Sequence, residues 1–261
     1  MLSPEQVSAI FSTYLPEPHS SLVSGMVIGQ QIPKSMGFYE EIKRVGLLHL
    51  VVLSGSNISI LSAVSGSMLG FLPKKLALVA QLCLIVAFVF FVGFQAPILR
   101  AAVMACCCNG ALLYGRRSLS LYSVLLAVIF FAIWFPEMIP TLSFQLSFAA
   151  SIGIILFGVP KPTDNILVRE LRPTLAAQLF TTPIVWIAFR EFSTVAVLAN
   201  VLVSWTVAPI MILGLLLIPL HYLPFAFLPN ATSTILLILS DYMIRIISTL
   251  SGFSFAFIKY E

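Results

Sequence analysis

Eight apolar runs, separated by prolines, glycines and basic pairs, fill the chain from Leu47 almost to its end. A bilayer's hydrocarbon core is about 30 Å thick, and a helix rising 1.5 Å per residue needs roughly 20 residues to cross it. The runs fall at about 47–71, 76–94, 98–114, 119–135, 142–159, 173–190, 194–219 and 231–258, each near that length. Pro73-Lys74-Lys75 ends the first and Gly115-Arg116-Arg117 the third. Pro136 and Pro140 bracket a turn, Pro160 to Pro173 reads as the one long polar loop, and Pro219, Pro224 and Pro229 fill the last. The third and fifth runs are short enough to be candidates for re-entrant segments. Non-helical backbone at that depth is tolerated only where protein or water covers it.

Composition supports this reading. A soluble chain is about 25% charged; this one is 9% charged and 59% hydrophobic over 261 residues. So few charges cannot furnish a water-facing skin, which excludes an ordinary cytosolic globule and a disordered chain. The expected fold is all-α, a polytopic integral membrane helix bundle of about eight spans. Two regions are expected, an amphipathic interfacial segment over 1–45 and a transmembrane domain over 46–261. In the first, Pro16, Pro18 and Pro33 break any long helix. Phe38, Ile42 and Val45 recur at helical spacing beside Glu40, Glu41, Lys43 and Arg44. That pattern predicts a short helix on the bilayer surface, a solvated linker being the alternative. The acidic, proline-bearing start does not read as a cleavable signal.

The net charge of +4 belongs to topology and is not a nucleic-acid footprint. Alternate loops carry Lys74, Lys75, Arg116, Arg117, Lys161, Arg169 and Arg172, while the opposite loops between helices carry only Arg190. The positive-inside rule puts the first set in the cytoplasm and, with eight spans, both termini outside. The four cysteines, Cys83, Cys106, Cys107 and Cys108, lie inside apolar runs, three of them adjacent. They lack metal-knuckle spacing and read as small packing residues.

Polar residues inside apolar runs are the candidate functional groups, because each is costly unless it faces protein or water. His49, Ser54, Ser56 and Asn57 cluster at the head of the first run. Interhelical hydrogen bonding is the plain alternative for His49 and Asn57; a Ser–His hydrolase lacks an orienting acid nearby. Below them Gly55, Ser59, Ser62, Gly66 and Gly70 fall on one stripe at spacings of three and four, which reads as helix packing. Arg100, near the start of the third run, either snorkels to the interface or faces an aqueous groove. Asp241 and Arg245, four apart, can pair along one helix face. Gln145 reads as interhelical glue or groove lining.

The motifs together are specific. Gly46-Leu47-Leu48-His49-Leu50 with Ser54-Gly55 and Asn57-Ile58, then Leu99-Arg100-Ala101, then Phe144-Gln145-Leu146-Ser147-Phe148-Ala149-Ala150, resemble the competence-domain region of the ComEC/Rec2 family. Leu15-Pro16-Glu17-Pro18-His19 with 22–29 is similar to the family's leading segment. Pro183, Phe192-Ser193, Ala199-Asn200 and Pro209 fit its later pattern. Val52 stands where the family usually has alanine.

That family comprises inner-membrane DNA-uptake channels of naturally transformable bacteria. The resemblance therefore implies a multi-pass protein of the bacterial cytoplasmic membrane that passes single-stranded DNA inward. Its DNA-path candidates are His49, Ser54, Asn57, Arg100, Gln145, Arg190 and Arg245, and Arg100 with His49 and Asn57 is expected to line one hydrated path. Full-length members usually add an extracytoplasmic OB-like domain, and many add a metallo-β-lactamase-like domain. Here the three histidines His19, His49 and His221 are scattered, and no H-x-H-x-D-H cluster occurs. The chain then reads as an excerpt, a truncated product or a reduced stand-alone version. No enzymatic activity, metal or cofactor is expected. The expected partners are single-stranded DNA, the lipid bilayer, a cytoplasmic helicase or ATPase, an extracytoplasmic DNA receptor and a separately encoded nuclease. The ATPase is invoked because no GxxxxGK[ST] motif occurs. The competing readings are a small-molecule or ion transporter, for which no convincing internal repeat is found, and an accessory membrane protein without transport.

Overall fold

A computed structural model describes residues 3–33, 37–51, 55–94, 96–114, 120–159, 163, 165–189, 191–225, 227–253 and 257–259. Helices α1 to α12 span Pro4–Tyr14, His19–Ile28, Gly37–Arg44, Leu48–Val51, Gly55–Met68, Lys74–Val92, Ala96–Leu113, Ser120–Trp134, Leu142–Gly153, Ile166–Phe189, Ala196–His221 and Phe227–Ser251. A π-turn, Ile154–Gly158, continues α9, and Glu191–Ser193 and Phe257–Lys259 are short strands. The fold is an α-helical membrane bundle. Lys74–Val92, Ala96–Leu113, Ala196–His221 and Phe227–Ser251 are long and apolar enough to cross a bilayer. Their outward apolar side chains, Phe90 and Ile238 among them, are exposed in the protein and suited to lipid.

Local signals explain the helix ends. Ser3 and Gln6 form a reciprocal capping box at α1. Gly93 closes α6, and the Thr141 hydroxyl accepts the Phe144 N–H at the start of α9. Two expected boundaries are corrected. Within the first run, expected as one span over 47–71, helix is described over Leu48–Val51 and Gly55–Met68, and 52–54 lie outside the described residues. Helix α10 begins at Ile166, where Asn165 accepts the Val168 N–H at 2.9 Å, so Pro173 lies inside a helix. An N-cap upstream outweighed the proline, which removes one intrahelical bond without ending the helix. The last helix, expected to reach 258, stops at Ser251, before Gly252, and Phe257–Lys259 is a short strand.

The chain divides into two compact units. The first combines 1–57 with 193–259; the second is 58–192 with the last two residues. In the first, the Ser12–Ser20 hydroxyls lie 2.9 Å apart and Ser8–Ser24 3.4 Å apart, so α1 and α2 run antiparallel. Phe11, Leu22 and Met26 are fully buried there. Helix α2 presses on α11 at Gly214, where an added Cβ would come 2.5 Å from Val27 Cγ2. Helix α11 packs on α12, where Trp205 meets Tyr242 and the Tyr242 hydroxyl donates to the Leu202 carbonyl. Helix α3 forms where the spacing predicted, with Phe38 and Ile42 buried and the helix packed on α12. Gly46, at φ +73, follows it; a Cβ there would meet Ala196 at 2.9 Å.

In the second unit α6 packs on α7, α7 on α8 and α9, and α9 on α10. Phe131, Phe144 and Phe148 form its aromatic centre, the last two stacked at 4.1 Å. Helices α9 and α10 approach closely at two glycines. A Cβ on Gly153 would lie 2.4 Å from the Ala176 carbonyl oxygen, and one on Gly158 3.1 Å from Pro173 Cα.

Candidate functional site

Arg100 sits in the second turn of α7, in the second unit. Its neighbours Ile98, Leu99 and Ala102 are buried, and Arg100 itself is half-buried. The buried guanidinium Nε has no hydrogen-bond partner among the described residues. A cation on an apolar helix costs about 2.5–3.5 kcal/mol at mid-span on insertion scales, less toward an end. A buried N–H without a partner adds roughly 1–3 kcal/mol. Water or an anion beside Nε would offset both terms.

The other candidates are placed differently. His49 lies in α4 and Asn57 in the first turn of α5, both in the first unit; their side chains lie outside what is described. Ser54 and Arg190 lie outside the described residues, as do Arg116, Arg117 and Lys161. Gln145 is exposed and donates from Nε2 to the Pro140 carbonyl at 3.3 Å. Arg245 is 77% exposed and donates from Nε to Asp241 Oδ2 at 2.6 Å, so the expected i, i+4 pair forms. On the small-residue stripe Ser62 contacts α6, while Ser59, Gly66 and Gly70 are exposed.

Two networks were not anticipated. In the second unit Asn109 Nδ2 donates to Gln81 Oε1 at 3.1 Å, and Gln81 Nε2 donates to the Ser62 hydroxyl at 2.7 Å and to the Ser62 carbonyl. This ladder joins α5, α6 and α7, with Gln81 and Asn109 both buried. Cys108 Sγ lies 3.5 Å from Ser123 Oγ, extending the polar contacts to α8. All four cysteines are free thiols. In the first unit the largely buried His19 Nε2 lies 3.7 Å from Asp241 Oδ1. Tyr14 Oη meets His221 Nδ1 at 3.1 Å, and Ser248 donates to the Glu41 carboxylate. A lone amide inside an apolar run was the available signal for Gln81 and Asn109. No local pattern announces His19–Asp241 or Tyr14–His221, whose partners are some two hundred residues apart. No group of three metal-ligating side chains converges among the described residues.

The sequence pattern of the Competence protein family matches residues 26–261. The chain belongs to this family. The matched stretch opens inside α2 and includes all of the motif residues from His49 to Arg245, Arg100 among them. As a Competence family member the chain is 25% identical over 224 residues to ComE operon protein 3 of Bacillus subtilis (strain 168). That alignment covers 83% of this chain and 29% of the relative, so the chain spans less than a third of that protein's length. No solved structure matches it.

Proposed function

We propose that this Competence family member helps pass single-stranded DNA across the bacterial cytoplasmic membrane, with Arg100 as a phosphate contact on a hydrated path. The observation that carries the proposal is the buried Nε of Arg100 without a partner among the described residues, on a helix long and apolar enough to span. A polyanion cannot enter hydrocarbon, so its route needs water and a few cations. Many strong phosphate contacts would trap the cargo, whereas sparse weak ones let it move. His49, Ser54, Asn57, Gln145, Arg190 and Arg245 are further candidates for contact with the strand. Pulling force and strand degradation fall to partner proteins of the ATPase and nuclease classes.

The test is uptake of labelled single-stranded DNA by cells that depend on this chain. Arg100→Gln should lower uptake about tenfold and flatten its dependence on salt, at unchanged protein level. Arg100→Lys should retain most uptake if charge alone matters, and little if bidentate phosphate contact matters. Normal uptake by Arg100→Gln would reject the role. Lost protein level with both variants would favour an accessory protein whose polar groups only pack helices.

A further inference from the structure

An open groove of about 450 Å³ lies in the second unit, along the first half of α10 beside the π-turn that ends α9. Its walls are Val168, Leu171, Leu175 and Leu179 from α10 and Phe157 from the π-turn, with Arg172 as the one charged side chain in the lining among the described residues. The α10 residues recur at i, i+3, i+7 and i+11, a single stripe. At 1.5 Å per residue the stripe is roughly 16 Å long, close to the depth of one leaflet of an approximately 30 Å hydrocarbon core. The glycines explain the space. Gly153 and Gly158 bring the backbone of α9 against Ala176 and Pro173, while the π-turn carries Phe157 outward, where it is 59% exposed.

The two ends of the groove differ. Leu175 and Leu179 lead into the exposed apolar face of α10. The other end is the Asn165-capped first turn of the helix, with Arg169 on the next turn and Arg172 in the wall. Side chains on a helix point back toward its N-terminus, so the Arg172 guanidinium is directed to the polar end. The helix dipole is positive there as well. With Glu170 between the two arginines the turn carries a net +1 by sequence.

We propose that this groove binds an anionic phospholipid, one acyl chain lying along Leu171, Leu175, Leu179 and Phe157 and the phosphate meeting Arg172. A free phosphate would not use the apolar length of the groove. An apolar helix from another protein would not need the cation. Basic pockets at the cytoplasmic ends of spanning helices suit such headgroups, and the positive-inside rule assigns this end of α10 to the cytoplasm.

The full chain, purified in a non-ionic detergent, is incubated with phosphatidylglycerol or with phosphatidylcholine of the same chains, and bound lipid is counted by native mass spectrometry. Phosphatidylglycerol should be retained over phosphatidylcholine. R172Q should lower its retention about fivefold, the weight of one basic residue near a phosphate, and that of phosphatidylcholine, whose phosphate is offset by the choline cation, by less. Leu179→Trp, at an exposed position that leaves the charge intact, should lower retention of both lipids by blocking the chain. Glycerol phosphate at equal concentration should displace neither. Equal retention of the two lipids, retention of phosphatidylglycerol unchanged by both variants, or displacement by glycerol phosphate would each overturn the assignment.

Discussion

The two units are built by opposite means. The first joins two stretches distant in the chain, 1–57 and 193–259, and residues far apart in sequence hold it together: Tyr14 with His221, His19 with Asp241, Glu41 with Ser248. The second is nearly continuous, and its helices meet neighbours in chain order through stacked phenylalanines, bare glycines and one buried amide ladder. Polar groups at the surface of the first unit neutralise one another, as Arg245 does with Asp241. The second unit satisfies Gln81 and Asn109 internally, while Arg100 Nε and Ser147 Oγ have no hydrogen-bond partner among the described residues. A buried cationic N–H without a protein acceptor is a place for water or a ligand.

The largest effect should come from the glycine contacts of the second unit. Gly153→Ala places a Cβ 2.4 Å from a backbone oxygen that cannot rotate away, and it should cost about 3 kcal/mol. The matching change in the first unit, Gly214→Ala, meets the end of a valine side chain at 2.5 Å and should cost about 1–2 kcal/mol. Gly110→Ala in α7 meets open space and should gain about 0.5–1 kcal/mol from helix propensity. Thermal denaturation in detergent ranks the three, and equal midpoints would erase the distinction between the units.

The amide ladder comes next. Gln81→Leu leaves Asn109 buried without its acceptor and should cost about 1–3 kcal/mol. Replacing both Gln81 and Asn109 by leucine should recover most of that loss, because no orphaned group remains. Additive losses in the double variant would mean that the ladder does more than satisfy itself. In the first unit Arg245→Gln should cost only about 0.5 kcal/mol, since Arg245 is exposed where it meets Asp241. Its effect should shrink further in high salt. A loss of several kcal/mol would show that the pair sits in a far less watery setting than its exposure indicates.

Much of the fold was legible because apolar runs report helices directly, and most helices lie within a few residues of the expected spans. The failures have separate physical causes. Pro160 to Pro173 reads as a loop in the sequence, yet Asn165 starts the helix upstream and Pro173 is carried within it. The small-residue stripe names Gly55, Ser59, Ser62, Gly66 and Gly70; no such pattern marks Gly153 and Gly158, where helix backbones come closest, or Gly214, which meets the Val27 side chain. Arg100 was visible as a charge in an apolar run. For Gln81 and Asn109, a single amide in such a run carries no motif, and only the fold brings the two together. His19–Asp241 depends on chain closure across the first unit, which no local window contains.

Hydration of Arg100 is the claim on which the functional account turns. Cysteine is introduced at position 100 after the four native cysteines are replaced, and its reaction with an impermeant anionic thiol reagent is timed in intact cells. Phe90→Cys, at an exposed apolar position on α6, serves as the lipid-facing control. Residue 100 should react at least tenfold faster than residue 90, and single-stranded DNA should slow it. Reaction no faster than at residue 90, unaffected by DNA, would contradict a hydrated path at Arg100.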